Sequence, residues 1–454
     1  VGYGGADEGL VTVLLHLPAE TVRGADVATV VVGGASGGGQ APWGDLDQTK
    51  RTAGAYTLEL AVPAGATALS VPVCAGRGAL SVDGTVVPLA PGPVSVPLDG
   101  TAGHTVTLRV QVSGYESRIT CGEPFVTGAV APTDGGLVEI DVPSTASAAS
   151  GGGHAVAFIP RGHDASVPGP LLVGLHPWNG TMWTYAAYSE LLAEAQTKDV
   201  VLLFPSGLGN SLYTAPAEDE AMRAMAALAA RVAVDPHRVS VWGASMGGAG
   251  ATTIAFHRPD RFAGVTSFFG DSEYDLHSYV HSILHDAAGA HKVNALDVVE
   301  NARHLSVWLI HGTADKVSSP VQSAKLAAAL EKNGFNVRYD RIEGRGHEGS
   351  LVAEHVREVV DRAAVAYAPE HPEHVSYRSV RAGDDGAYGV HLIRRDPRKD
   401  AAFEIERRGA EVHVLVAENV QRLVLDPGAL GIEPGTNARV VRARGVPVVT
   451  VSLP

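Results

Sequence analysis

Val239-Ser-Val-Trp-Gly-Ala-Ser-Met-Gly-Gly248 reads as a buried apolar strand that turns abruptly into a helix, with Ser245 at the turn. Gly243 and Gly247 flank Ser245 in a G-x-S-x-G pattern. A strand-to-helix elbow this tight leaves no room for side chains at the flanking positions, and it lifts the serine hydroxyl clear of the sheet beside a helix N-terminus. The five-residue pattern is common; its setting between an apolar strand and a small-residue helix makes Ser245 a candidate nucleophile.

The strands around this stretch set the architecture. Leu171-Leu-Val-Gly-Leu-His176 and Val200-Val-Leu-Leu-Phe-Pro205 are nearly continuous apolar runs, as strands covered on both faces require. Ala155 to Pro160, Val265 to Phe269, Leu305 to Ile310 and Val337 to Ile342 are further strands. Ala217 to Val232 reads as a helix with Met222, Met225, Leu228 and Val232 at core spacing, and Val321 to Asn333 as another. Strands and helices alternating in this order predict an α/β domain over residues 154–368 built on a doubly wound, mostly parallel sheet.

Outside that region the pattern changes. Residues 1–150 hold short apolar runs between Gly, Pro and Asp turns, and Thr105 to Val112 alternates with period two. This predicts a β-sandwich-like accessory domain, followed by a small-residue linker from Ser144 to Gly153. Residues 371–454 return to β character, with strand candidates at Tyr388–Ile393, Ala402–Glu406, Glu411–Ala417, Val420–Leu425 and Ala438–Arg442, and predict a small β-rich domain.

Composition narrows the function classes. The chain has 454 residues and a net charge of −14, which disfavours nucleic acid as a partner. No run of 18 apolar residues is present, so no membrane span is expected. Two cysteines, Cys74 and Cys121, are too few for a four-thiolate metal site. Their common place in the N-terminal region predicts one disulfide, and with it a secreted or periplasmic protein.

A serine nucleophile needs a base, and the base needs an orienting acid. In an α/β sheet these follow in the order Ser, acid, His, on loops after later strands. His311-Gly-Thr-Ala-Asp315 directly follows one strand, and Arg345-Gly-His347 follows the next, which nominates Asp315 and His347. His311 is a competing base, but its place at a strand end suits a structural hydrogen bond better. Backbone donors to an oxyanion are expected from Met246, next to the nucleophile, and from the loop His176-Pro-Trp-Asn179. Pro177 has no N–H, so the second donor falls to Trp178, ahead of Asn179. Trp183 and Tyr185 either meet substrate or pack their own loop. His176, Asn179 and Tyr274 are further substrate-side candidates, His176 also suiting a loop brace. Neither a metal nor a cofactor is expected.

Asp235-Pro-His-Arg-Val239, Gly243-Ala-Ser-Met-Gly-Gly248, His311-Gly-Thr-Ala-Asp315 and Gly346-His-Glu348 together resemble the α/β-hydrolase superfamily. The likeness points to its esterases and to prolyl-oligopeptidase-like serine hydrolases, over roughly residues 155–368. It implies Ser245, Asp315 and His347 as the triad and Met246 and Trp178 as oxyanion donors. Pro177 departs from the family's usual His-Gly at that loop. The 150 N-terminal residues are too few for the propeller of large prolyl oligopeptidases. The plan looks more like secreted esterases with accessory β domains, which implies hydrolysis of carboxylic esters through an acyl-enzyme. Carbohydrate-linked, aromatic or polyester substrates, small or polymeric, follow from the same likeness. A serine peptidase or amidase is the alternative, and a binding protein on an inactive hydrolase scaffold is the third reading.

Overall fold

The structure is a computed structural model. It describes residues 136–452 apart from 144–152, 187, 277–278, 434–438, 445 and 447–449; before residue 136 it describes the backbone of nine strands alone. Those strands, between Tyr3 and Thr127, pair antiparallel in one six-stranded and one three-stranded sheet. A β-sandwich over residues 1–150 turns on how their side chains pack, and that lies outside the described residues, as does most of the Ser144–Gly153 linker.

The central sheet has eight strands: β1 Gly136–Val142, β2 Gly153–Ile159, β3 Gly169–Leu175, β4 Val201–Pro205, β5 Val234–Ala244, β6 Gly264–Phe268, β7 Ser306–Gly312 and β8 Val337–Ile342. Their spatial order is β1-β2-β4-β3-β5-β6-β7-β8. The first three pair antiparallel, and every pairing from β4 onward is parallel. The sheet therefore begins before the stretch assigned to it from sequence. Strand β1 falls within residues 1–150, yet it pairs residue for residue with β2, from Gly136 opposite Ile159 to Val142 opposite Gly153.

Burial explains the strand sequences. Every residue of β3, β4 and β6 is buried, which matches their apolar runs. The edge strand β8 is half-exposed, and it carries Arg338, Asp340 and Arg341 among its apolar residues. Helix α1, Ala215–Ala229, covers one face through Ala217, Ala221, Ala224, Met225 and Leu228. Helix α2, Met246–His257, is buried along its whole length. Its Gly- and Ala-rich sequence allows that, because small side chains let the helix backbone lie close to the sheet. Each large apolar side chain fully buried in this core, such as Leu203 or Phe256, contributes about 1.5–3 kcal/mol.

The C-terminal region forms two further four-stranded sheets. One contains β9 His374–Ser379, β12 Ala401–Arg408, β13 Glu411–Glu418 and β15 Arg439–Arg442. The other contains β10 Gly386–Ala387, β11 Val390–Arg394, β14 Val420–Leu425 and β16 Thr450–Ser452. Side chains from both sheets share one core, including Tyr377, Phe403, Val414, Leu392 and Leu423.

One expectation is corrected. No disulfide bond is present, which overturns the bridge expected between Cys74 and Cys121. Both positions lie outside the described residues. Export, inferred from that bridge, loses its support with it. Among the described residues no helix is long and apolar enough to cross a membrane.

Candidate active site

The loops that leave the carboxyl ends of β5, β6, β7 and β8 converge on Ser245. The serine sits between β5 and α2 with φ 56° and ψ −120°, in backbone space that a non-glycine residue seldom adopts. Its own N–H donates to Phe268 O at the end of β6, at 2.9 Å. The elbow is closed by two contacts that leave no space for a Cβ. One added at Gly247 would lie 1.8 Å from Leu175 O, and one at Gly243 would lie 2.4 Å from Gly247 O. Tyr185 secures the strand end: its hydroxyl accepts the Ala244 N–H at 2.9 Å, and its ring lies 4.2 Å from that of Trp242.

His347, on the loop after β8, places Nε2 2.9 Å from Ser245 Oγ and Nδ1 2.8 Å from Asp315 Oδ2. The Nδ1 partner is a carboxylate, so Nδ1 carries the proton and Nε2 is left to accept from the serine hydroxyl. The side chain of Asp315 is fully buried and that of His347 is 17% exposed. Asp315 Oδ1 takes the N–H groups of Val317 and Ser318 at 2.8 and 3.0 Å, so the loop after β7 wraps its own carboxylate. The Phe269 ring lies 4.4 Å from the imidazole of His347.

Two further groups face this chain. His311, at the end of β7, is wholly buried, and burial holds its pKa below the usual imidazole range. Asp271, after β6, receives the Ser318 hydroxyl at 2.6 Å. Burial pushes the Asp271 carboxyl up from the ordinary range, against the pull of that hydrogen bond and of His347.

The opposite wall is built from the loops after β3 and β4. Met246 is the first residue of α2. Trp178 is half-buried, and Asn179 is exposed with φ 61°. The Asn179 N–H donates to Asn210 Oδ1 at 2.6 Å, and Asn210 Nδ2 returns a bond to Asn179 Oδ1 at 2.8 Å. His176 is buried, with Nε2 2.8 Å from Ser206 O and Nδ1 2.9 Å from Pro177 O; burial lowers its pKa. Glu220, buried on α1, accepts from Ser206 N, Ser206 Oγ and Gly207 N. Its carboxyl is raised by burial, partly offset by those three donors.

The structure thus brings Ser245, Asp315 and His347 into one hydrogen-bonded line, with Met246 at the head of the adjoining helix. It buries Trp183, Tyr185, His176 and Tyr274, leaving Asn179 exposed and Trp178 half-buried. Asn210 and Glu220 escaped the sequence reading. Asn210 carries the weak signal of a Gly-rich loop directly after a strand. Glu220 carries none, since it sits in the acidic run Glu218-Asp-Glu220, which reads as a solvated helix face.

Residues 213–371 match the prolyl oligopeptidase family, peptidase family S9. No curated protein matches the chain. Among solved structures, the chain is similar to an S-formylglutathione hydrolase from Agrobacterium tumefaciens, at 16% identity and a TM-score of 0.45, over 53% of this chain and 98% of that one. It is similar also to a fluorophosphonate-binding serine hydrolase of Staphylococcus aureus, at 13% identity and a TM-score of 0.44, over 51% and 98%. A third is a putative dipeptidyl aminopeptidase IV from Bacteroides ovatus, at 12% identity and a TM-score of 0.44, over 71% and 49%. Strand order and elbow give the chain an α/β-hydrolase-type serine-hydrolase fold, with no propeller among the described residues.

Proposed function

We propose that this chain hydrolyses carboxylic esters through an acyl-enzyme, with Ser245 as nucleophile, His347 as general base and acid, and Asp315 as the orienting carboxylate. The observation that carries this reading is the continuous hydrogen-bonded line from Ser245 Oγ through His347 to Asp315 Oδ2. Ser245 Oγ attacks the ester carbonyl carbon as its proton passes to His347 Nε2. The tetrahedral intermediate collapses when that proton is delivered to the leaving alkoxide, and the ester oxygen departs as the alcohol. Water then attacks the acyl-enzyme with His347 again as base, releasing the acid and restoring the serine.

Charge that develops on the carbonyl oxygen needs backbone donors. The Met246 N–H is one, at the N-terminus of α2, where the helix dipole also favours negative charge. The second is assigned to Trp178. The alternative, Asn179, has its N–H engaged by Asn210. His176, Glu220 and Asn210 brace this wall from behind. Trp183 and Tyr185 act as supports for the loop and for β5, so aromatic stacking on a substrate falls to Trp178.

Ser245→Ala should cut ester turnover by about 10,000-fold or more without changing the fold. It should also abolish labelling by an activated phosphonate. Turnover of small p-nitrophenyl esters unchanged in that variant would sink the assignment. The match of residues 213–371 to the prolyl oligopeptidase family favours a second reading, hydrolysis of peptide or aminoacyl amides by the same triad. A panel of acetyl, butyryl and feruloyl esters set beside aminoacyl-p-nitroanilides separates the two. A kcat/KM for any amide above that for every ester would replace the first reading with the second.

A further inference from the structure

We infer that His311 is a positioning residue for the triad: a second imidazole that holds Asp315 and closes its loop, through one proton fixed on Nε2. The inference rests on the role proposed for Asp315. His311 Nε2 lies 3.1 Å from Ser318 O and 3.3 Å from Asp315 Oδ2. Both partners only accept, so the ring proton is on Nε2 and is shared between them. The opposite nitrogen, Nδ1, lies 2.8 Å from Ser323 Oγ, whose hydroxyl supplies the donor that Nδ1 then needs. The neutral Nε2–H ring satisfies every partner. Burial disfavours a charged ring here and outweighs the nearby Asp315 carboxylate, so the neutral form is the one this buried site holds.

The consequence is geometric. Asp315 Oδ2 receives His347 from one side and His311 from the other, while Oδ1 is held by Val317 N and Ser318 N. The His311 N–H also fixes Ser318 O, so the same residue anchors both the carboxylate and the turn that caps it. Without that anchor, the loop keeps the Asp315 N–H on Gly312 O but loses the side-chain tie that joins β7 to Ser318 O and to the carboxylate. His311 touches neither substrate nor the reacting atoms, and it acts by fixing where Asp315 presents Oδ2 to His347. The competing assignment of His311 as the base fails on the same geometry, because its proton-bearing nitrogen faces the acid and its other nitrogen faces Ser323.

The test compares His311→Phe, His311→Gln and His311→Asn in the full chain. Phe fills the site without a donor. Gln carries an amide N–H to about the position of Nε2, and Asn is too short to do so. Losing a hydrogen bond to a charged group should lower kcat in His311→Phe about 10- to 100-fold, with KM for a small ester within about twofold. His311→Gln should recover most of that loss, and His311→Asn should not. Labelling of Ser245 by an activated phosphonate should be slowed in His311→Phe yet reach completion, whereas Ser245→Ala gives none. His311→Phe with wild-type kcat overturns the inference while the Ser245 assignment stands. If His311→Phe does not fold, the Gln and Asn pair decides, and equal kcat in those two overturns it.

Discussion

At the scale of single residues, the site is fixed by contacts that tolerate no added atom. Gly247 is the tightest of them: a Cβ there would meet the carbonyl oxygen of Leu175 at 1.8 Å and its carbon at 2.6 Å. The obstacle is backbone, so no rotamer change relieves it. Gly247→Ala must push α2 away from the end of β3, where the His176–Asn179 loop begins. Overpacking of this kind costs about 1–3 kcal/mol, and more where backbone has to move. The expected outcome is a lower melting temperature together with a fall in ester turnover, since Ser245 and the wall facing it separate. Wild-type melting and wild-type kcat in Gly247→Ala would show that the elbow is looser than this geometry requires. The need for small residues here is legible in sequence, because G-x-S-x-G after an apolar strand already demands a close approach. The identity of the opposing atom is not legible, since Leu175 is brought there only by the pairing of β3 with β5.

At the scale of elements, strand β5 delivers Ser245, and its last residues are pinned from outside the sheet by Tyr185. The Tyr185 hydroxyl is the acceptor for the buried Ala244 N–H. Tyr185→Phe keeps the ring packed on Trp242 but leaves that N–H without its acceptor, at a cost of about 1–3 kcal/mol. Because Ala244 is bonded to Ser245, kcat should fall in Tyr185→Phe while KM for small esters stays close to wild type. A raised KM with unchanged kcat would return Tyr185 to the substrate side, where the sequence alone allowed it. Apolar runs locate β3 to β8, and the order of Ser245, Asp315 and His347 along them is legible because each follows a strand. Strand β1 is not legible as part of this sheet, because a small-residue stretch separates it from β2 and only pairing reunites them. Helix α1 was placed correctly by Met225 and Leu228, but Glu218 and Glu220 on it are buried too. An acidic run on a helix looks solvated until the partners that neutralise or cap it are known. For Glu218 and Glu220 those partners lie far along the chain or on a loop.

At the scale of the whole molecule, the C-terminal sheets dock on the far end of the nucleophile helix through buried charge. His257, the last residue of α2, bonds through Nδ1 to Asp384, and Arg381 Nε reaches the same carboxylate at 2.9 Å. Arg381 also bonds Glu218 on α1, and Glu218 takes Arg258 at 2.8 Å. Tyr377 and Tyr388 donate their hydroxyls to the carbonyls of His257 and Pro259. Removing residues 371–454 would strip His257 of Asp384 and leave Glu218, each now 1% exposed, with Arg258 but without Arg381. A fragment spanning 154–368 should therefore unfold more readily than the full chain, and it lacks β1 as well. Asp384 gives the sharper test. Burial alone would raise its carboxyl, but the bond and charge of His257 and the guanidinium of Arg381 outweigh burial and hold it below the ordinary value of 3.8. A carboxyl depressed in the folded state stabilises the fold above its unfolded pKa and loses that contribution as pH falls through its folded one. Asp384→Asn leaves Arg381 and His257 facing a neutral amide in a buried site, and breaking a buried pair in this way costs about 3–5 kcal/mol at neutral pH. The variant should also lose part of the steep fall in stability below about pH 4 that an ionised Asp384 confers on the wild type. Denaturant melts of both proteins from pH 3 to pH 7 would read the two effects together. Parallel curves with no offset would mean that the interface is held by its tyrosines and apolar contacts, with the charges contributing nothing.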